Sequence, residues 1–540
     1  MGLRFYEKYF VLFGAFIGGC FLFSGILVYF GSDRTNILPE LQNRIVNPKV
    51  RNVYDSQSIK QMEHRFGFAS NLNVSMKENE RRRNFTRNMM KFAWSNYVRY
   101  AWGENELRPI AKIGHSGSVF GRAPVGATII DALDTLYIMG MNKEFDQARD
   151  WVAQNFNLKE SLSDLSVFET NIRFVGGLLS AYALTKDQMF LNKARDVADL
   201  LMPSFNASPF GIPMSLINLR TGRTGNYGWA SGGCSILSEF GSLELEFNYL
   251  SRLTGNLTYM SKCARVREYV IELQKPDGLY PNYLNPQTGK WCQKHVSVGA
   301  LGDSFYEYLL KIWIFNGKRD DHLKEAYRNA IKAIEEKLLH KSTQNNLWYF
   351  AEMKSSRIEH KMDHLACFIA GMFALQSLQE NDETTRVNTL KLAEQIGHTC
   401  HESYRKTVTG IGPEAFRFSS DAEAQATRIS EAYYILRPEA VEGWFYLWRA
   451  TGDEKYREWC WEAAQAIERH CRVEAGYSGI RNVNAQQIEH DDVQQSFFLA
   501  ETLKYLFLIF SDSTEIPLDQ WVFNTEAHPF PIAHSAQQVQ

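Results

Sequence analysis

LTGNLTYM, residues 253–260, reads as the end of one helix run into the start of another, and its outline returns as LTKDQMF at 184–190 and ATGDEKYRE at 450–458. In each, a helical pattern stops at a turn, a polar Asp or Asn follows, and an aromatic residue stands three positions later. The side-chain oxygens of Asp187, Asn256 and Asp453 are suited to cap the next helix, which Phe190, Tyr259 and Tyr456 open. Helical hairpins repeated along a chain build a solenoid or, if the ends meet, an α/α barrel. A closed ring presents one helix of each hairpin to a central cavity, and there chemistry is to be sought.

Outward from the repeat, the same character holds over most of the chain. From about residue 88, where MMKFAWSNYVRYAW begins, to about 510, amphipathic helices alternate with short loops and strand-like alternation is sparse. The expected class is therefore all-α. Residues 31–87 are polar, without sustained periodicity, and read as a stem. Within them Arg81, Arg82 and Arg83 sit among Lys77, Glu78 and Glu80, which reads as a solvated linker.

The N-terminus carries the strongest physical signal. Residues 9–30 (YFVLFGAFIGGCFLFSGILVYF) hold no charge and are long enough to cross a bilayer core of roughly 30 Å as a helix. Arg4 and Lys8 precede this stretch, which places the short N-terminal tail in the cytosol and the remainder in the lumen, as a single-pass type II protein. The expected plan is thus a tail at 1–8, a transmembrane signal anchor at 9–30, a stem at 31–87, a catalytic domain at 88–533 and a C-terminal tail at 534–540.

Sequons at Asn73, Asn84, Asn206 and Asn256 agree with a lumenal location, where such sites are glycosylated. Seven cysteines lie outside the span, an odd number, so at least one is free or pairs between chains. Cys460 and Cys471 share one helix about 16 Å apart, too far to join. The formal charge of −2 over 540 residues argues against a nucleic-acid partner. Oligomeric state is not legible.

Acidic residues recur beside Gly, Pro or aromatic residues at helix edges: Glu169 in VFETNIRFVGG, Glu244 and Glu246 in SLELEF, Asp303 and Glu307 in LGDSFYEY, Glu439 and Glu442 in LRPEAVEGW, and Glu501 in SFFLAETLKY. Glu439 and Glu442 fall one turn apart on one face behind Pro438, and Glu169 stands one turn from Arg173, which favours a pinned carboxylate. Singly, such acids are caps or salt-bridge partners. Together in one helical domain they point to a cavity lined by acids and aromatics, suited to sugar binding and acid/base hydrolysis. His360 and His364 have the i, i+4 spacing of a zinc pair, but Lys361 occupies the place of the zincin glutamate. Asp491 and Asp492 are expected to open the helix carrying Gln494, Gln495 and Phe497.

Nine stretches in order carry a family resemblance: AWGENELRPI (101–110), GATIIDALDTLYIMGM (126–141), VFETNIRFVGGLLSAY (167–182), LYPNYLNP (279–286), LGDSFYEYLLKIW (301–313), EHKMDHLACF (359–368), YYILRPEAVE (433–442), DDVQQSFFLAETLKYL (491–506) and FNTEAHPFPI (523–532). The chain resembles the class I α1,2-mannosidases of glycoside hydrolase family 47. That resemblance implies an (α/α)7 barrel, an inverting mechanism and a bound Ca²⁺. It implies high-mannose N-glycans on glycoproteins as substrates, with eight or nine mannoses trimmed towards five.

Position by position, the resemblance makes Glu169 the general acid, acting through a water, Glu439 the base, and Asp303 a third essential carboxylate. It makes Thr525 the protein ligand of Ca²⁺, with Glu442, Glu501 and Glu526 in the surrounding acid shell. Arg173, Glu246, His364, Arg437 and Phe497 match pocket residues, and Cys367 and Cys400 match the family's disulfide. An inverting pair stands about 6.5–9.5 Å apart so that a water can enter opposite the leaving group. Gln495 and Leu301 resemble the Golgi members. The endoplasmic-reticulum enzyme has an Arg at the position of Leu301, and a short apolar side chain there implies broader branch use. The expected location is the Golgi membrane, with the endoplasmic reticulum as the alternative. A glycan-binding quality-control lectin, or a degradation-linked mannosidase of the same family, is the competing reading.

Overall fold

All three repeat residues cap as their spacing suggests. In the computed structural model, which describes residues 68–533 apart from Leu162, Asp187 accepts from the Met189 N–H at 2.9 Å. Asn256 accepts from Thr258 at 3.1 Å and Asp453 from Lys455 at 3.0 Å. Phe190, Tyr259 and Tyr456 are buried behind these caps. The expected tail, anchor and much of the stem, and residues 534–540, lie outside the described residues. Among the described residues no helix is long and apolar enough to cross a membrane.

The helices fall into pairs. In chain order they are α1 (Phe68–Ala101), α2 (Ala127–Ile138), α3 (Asn142–Asn155), α4 (Val167–Glu169, a wider π turn at Thr170–Val175, then Gly176–Thr185) and α5 (Gln188–Leu201). Next come α6 (Glu244–Thr254), α7 (Thr258–Glu272), α8 (Asp303–Phe315), α9 (Asp321–Leu338), α10 (Phe368–Ser377) and α11 (Glu383–Arg405). The last are α12 (Glu439–Thr451), α13 (Lys455–His470) and α14 (a π turn at Phe498–Thr502, then Leu503–Leu508). Six hairpins run from α2/α3 to α12/α13, and α14 packs on α1 to make a seventh pair from the two ends of the described chain.

Composition decides which helix of each pair faces inward. Every residue of α8 and of α10 is buried, as befits a helix enclosed on all sides. By contrast α9 buries one stripe, Leu323, Tyr327, Ile331, Ile334 and Leu338 among others, and gives its charged face to solvent. Turns from inner to outer helix are short and close on left-handed residues, Lys186, Gly255 and Gly452. Returns from outer to inner helix are long.

Those returns amend the all-α expectation. They carry strands of two to four residues paired into small antiparallel sheets, including 165–166 with 216–217 and 224–225, and 361–363 with 415–418 and 423–425. Strands this short show too few alternations to register as a period-2 pattern. Their effect is to collect loops around the N-terminal ends of the inner helices.

A β-hairpin, Trp521–Phe523 with Pro529–Pro531, enters from the opposite end. Ala533 N–H donates to the carbonyl of Phe315, the last residue of α8, at 3.1 Å, and Phe530 packs on Tyr249 in the middle of α6. The tip, Asn524 to His528, is buried in the centre. Gly176 and Gly177 of FVGG make room for it. A β-carbon on Gly176 would lie 2.5 Å from Asn524 Nδ2, and one on Gly177 would lie 2.8 Å from the Ile130 carbonyl.

Two local readings change. Residues 68–87, expected as stem, are helical and belong to α1. Arg82, read as part of a solvated linker, is buried and forks onto Glu458 of α13 at 2.8 and 3.0 Å, while Phe85 meets Trp461 edge-on. Composition hid this because the docking face is narrow and the rest of the helix is charged. Asp491 and Asp492 do not open a helix: Asp492 accepts from the Ile110 N–H at 2.7 Å with φ at 62°, and Asp491 accepts from Ser478 and Val493.

Candidate active site

The inner helices begin where the acids stand. Glu169 is the third residue of α4, and its N–H is capped by Ser166 Oγ at 3.2 Å. One turn on, Arg173 Nε donates to Glu169 Oε2 at 2.9 Å. Its Nη1 is shared among Ser496 Oγ at 3.1 Å, Asp131 Oδ2 at 3.2 Å and Glu526 at closer range. Phe497 lies over the guanidinium at 5.8 Å. The π turn at Thr170–Val175 shifts Arg173 off the regular helical position, and such turns concentrate at functional sites.

Glu439 opens α12 and is fully buried. Its Oε2 lies 2.5 Å from His364 Nδ1, and His364 Nε2 lies 2.7 Å from the Tyr404 hydroxyl. Arg437 forks onto Glu414 at 2.5 and 2.7 Å and keeps Nη1 3.8 Å from Glu439 Oε1, an oxygen with no hydrogen bond from a described residue.

Asp303 opens α8, accepts from the Ser304 N–H at 2.9 Å through Oδ1, and has no described partner at Oδ2. Burial pushes its carboxyl well above the ordinary range, aided by the charges of Asp363, Glu307 and Glu439. Glu246 is buried and held by Tyr308 OH and Asn524 at 2.7 Å and by Asn171 at 3.0 Å; burial nonetheless lifts it to about 7.

Thr525, at the hairpin tip, donates through Oγ1 to Glu307 at 2.9 Å, which leaves its hydroxyl lone pairs available. Around it, Glu442, Glu501 and Glu526 are buried, and Glu442 Oε2, both oxygens of Glu501 and Glu526 Oε2 make no hydrogen bond to a described residue. Burial pushes all three carboxyls well up, and neighbouring carboxyls add to it at each. Buried polar oxygens without partners require a cation, waters or protons. The donors are all oxygen, which suits a hard divalent ion. Among the described residues no group of three His, Cys, Asp or Glu converges as a metal cage, and the oxygens open to a cation here are those of Thr525 and of the three acids.

A cleft of about 600 Å³ leads in from the looped end, with Glu169, Arg173, Glu106, Tyr433, Arg481 and Gln495 among its walls. Leu301 stands apart in a second apolar cluster with Tyr283, Tyr227 and the Cys234–Cys292 disulfide, its φ at 79°. That disulfide was not anticipated. The Cys367–Cys400 bridge is present as the resemblance implied, and Cys263, Cys460 and Cys471 are free and buried, which accounts for the odd count. Asn84, Asn206 and Asn256 are exposed, and Asn73 lies on α1.

Sequence reading missed Asp131, Asp134, Ser496 and Asn524. The first two carried a signal: α2, ATIIDALDTLYI, is apolar but for these acids and its threonines, and an acid inside a buried helix demands a partner. Asp134 takes Lys504 at 2.8 Å and His528 at 2.9 Å, fastening α2 to α14 and to the hairpin.

The chain is similar to known proteins. The family model described as "Glycosyl hydrolase family 47" matches residues 89–532. The chain is 55% identical over 454 residues to a mannosyl-oligosaccharide alpha-1,2-mannosidase IA of Drosophila melanogaster, covering 84% of this chain and 68% of that protein. It is 53% identical over 448 residues to the human mannosyl-oligosaccharide 1,2-alpha-mannosidase IB, covering 83% and 69%. Among solved structures, an alpha-1,2-mannosidase from Trichoderma reesei superposes with a TM-score of 0.76 at 29% identity, covering 84% of this chain and 99% of that one.

Proposed function

The chain belongs to glycosyl hydrolase family 47, and we propose that it removes terminal α1,2-linked mannose from high-mannose N-glycans by inverting hydrolysis, using Ca²⁺. It is a glycoside hydrolase, a mannosyl-oligosaccharide 1,2-α-mannosidase. The observation that carries the mechanism is the different setting of two acids. Glu169 lies in the cleft wall on Arg173, while Glu439 is buried, gripped by His364, with one oxygen uncommitted.

In this reading Glu169 supplies the proton to the departing glycosidic oxygen, through a water as in its relatives. Glu439 takes a proton from the water that attacks the anomeric carbon from the opposite face. The new bond to water and the broken bond to the leaving sugar balance with one proton given and one received. His364 fixes which way the Glu439 carboxylate faces, and Asp303, buried at the start of α8, supplies a third acid. Arg437 sets a positive charge beside Glu439, and Phe497 and Glu246 line the seat of the terminal mannose. Thr525 would hold Ca²⁺, with Glu442, Glu501 and Glu526 orienting its waters; when bound, that ion supplies oxygen coordination for sugar hydroxyls and offsets the acids' mutual repulsion.

For the rest of the chain we propose a type II anchor at residues 9–30 and a Golgi location. The uncharged span, Arg4 and Lys8, the lumenal sequons, and Gln495 with Leu301 support this. The activity is tested by incubating the lumenal domain with a nine-mannose glycan and Ca²⁺, following products by mass spectrometry and the released anomer by NMR. β-Mannose is expected first, and E169Q and E439Q each lose at least about 100-fold in rate. Release of α-mannose first, or equal release by both variants and wild type, defeats the proposal.

A further inference from the structure

Asn84, Asn206 and Asn256, the acceptor positions of three sequons, are all exposed. They differ in the hydroxyl two residues on, which is the other half of what a sequon presents.

Thr86 is fully buried. Its Oγ1 donates to the Arg82 carbonyl at 3.1 Å, and the Leu506 carbonyl of α14 lies 3.5 Å away. Between acceptor and hydroxyl, Phe85 meets Trp461 of α13 edge-on. The Asn84 sequon is therefore wound into α1 and held from two sides. Ser208 is only 7% exposed, and its Oγ donates to the Pro286 carbonyl at 2.5 Å while accepting from the Phe210 N–H at 3.2 Å. Thr258 is different. With Asn256 and Leu257 it is exposed in the turn from α6 to α7. Asn256 Oδ1 accepts from the Thr258 N–H at 3.1 Å, a bond that does not involve the Thr258 hydroxyl.

We propose that Asn84 and Asn206 accept an N-glycan only while their segments are unfolded, whereas Asn256 also accepts one on the folded protein. This rests on the lumenal location proposed above. The reaction joins the Asn Nδ2 to the anomeric carbon of an oligosaccharide, breaks the bond from that carbon to a lipid pyrophosphate, and releases one amide proton. A transferase that reads the hydroxyl has to reach it. At Asn84 that requires α1 to part from Leu506 and Trp461; at Asn206 it requires Ser208 to part from Pro286. Segments packed in this way open rarely, while exposed turns open at little cost. Folding after transfer meets no obstacle at either site. Asn84 Oδ1 accepts from Arg87 Nη1 at 2.6 Å and Asn206 Oδ1 from Lys262 Nζ at 2.8 Å, and a glycosylated amide keeps that oxygen.

The test uses the full chain made without glycans, in cells whose lipid-linked oligosaccharide synthesis is blocked. It is offered to purified oligosaccharyltransferase with a lipid pyrophosphate-linked oligosaccharide, once as the native protein and once after reduction and alkylation in denaturant. Alkyl groups on the buried Cys263, Cys460 and Cys471 keep the second sample from repacking after dilution. Peptide mass spectrometry gives the yield at each site, and the native-to-unfolded ratio cancels differences in sequon quality. A ratio within about threefold of unity is expected at Asn256, and one below about one-tenth at Asn84 and Asn206. A ratio at Asn84 or Asn206 equal to that at Asn256 overturns the proposal, as does a ratio at Asn256 below one-tenth. The location is checked apart from these ratios, on the chain made in untreated cells. Glycan at none of the three sites there overturns the lumenal reading and the proposal with it.

Discussion

Glu439 is held by His364, whose Nδ1 stands 2.5 Å from the carboxylate Oε2 in a fully buried pair. A carboxylate only accepts, so Glu439 draws the Nδ1 proton of the neutral ring, Nε2 accepts from Tyr404 OH at 2.7 Å, and the phenol braces the imidazole that orients the base.

Tyr404→Phe removes that brace without touching the carboxylate. One lost hydrogen bond corresponds to about 0.5–1.5 kcal/mol, so kcat is expected to fall roughly three- to tenfold with KM little changed. Steady-state kinetics on the nine-mannose glycan read this directly. A rise in KM with kcat intact would place His364 in ground-state binding instead.

Chelation is expected to abolish mannose release, and Ca²⁺ to restore it. Ion binding to the folded state alone also raises stability, by about 2.7 kcal/mol at a hundredfold excess over Kd. Glu501→Gln, which alters a carboxyl with both oxygens uncommitted, is expected to weaken Ca²⁺ about ten- to hundredfold. Thermal midpoints titrated against Ca²⁺ measure that shift without reference to turnover.

Leu301→Arg is expected to narrow branch use, slowing release after the first mannose. The product ladder by mass spectrometry checks it; a ladder identical to wild type counts against Leu301 as a specificity position.

The Cys234–Cys292 bridge closes a separation of 58 residues. Loop-closure entropy assigns about 4 kcal/mol to such a bond, so the double Ser variant is expected to unfold at distinctly lower denaturant. Loss of the bridge also frees the cluster that seats Leu301, and the same variant is expected to change the product ladder at low temperature, where the fold persists.

His528 and Asp134 set the pH limits of the hairpin's attachment. Asp134 lies below its ordinary value: despite burial, Lys504 and His528 favour its charged form. His528 lies above its ordinary value, because Asp134 and Asp131 outweigh burial. The Asp134 contribution is present above the ordinary carboxylate range and fades as pH falls. The His528 contribution is complete below about 6.5 and is lost as pH rises through its raised value. His528→Gln is therefore expected to flatten the alkaline decline of the thermal midpoint above about pH 6.5 and to leave the acid side sloping. Parallel profiles for variant and wild type would show that the imidazolium contributes nothing.

How far the sequence discloses this molecule depends on whether a feature is local. The Asp187, Asn256 and Asp453 caps, the Glu169–Arg173 step and the Glu439–Glu442 turn are spaced within one or two helical turns, and all were legible. Ser496 beside Arg173 and Asn524 beside Glu246 are contacts across 323 and 278 positions, respectively, which no periodicity encodes. The docking of α1 at Arg82 and Phe85 was obscured for a related reason: these side chains meet α13, some 376 positions away at Arg82 and Glu458.

The pairing of α1 with α14 has a consequence for how the protein is made. The helix that leaves the ribosome first among those described finds its partner only when the last has been synthesised, some 400 residues later. At about 5–20 residues per second, that interval lasts roughly 20–80 s. Throughout it, the apolar face of α1, with Met89, Met90, Ala93, Trp94 and Tyr97, has no α14 to cover it. Ring closure is then a late, long-range step of the kind that slows folding. The stage most exposed to aggregation is thus the nearly complete chain, six hairpins formed and the seam still open.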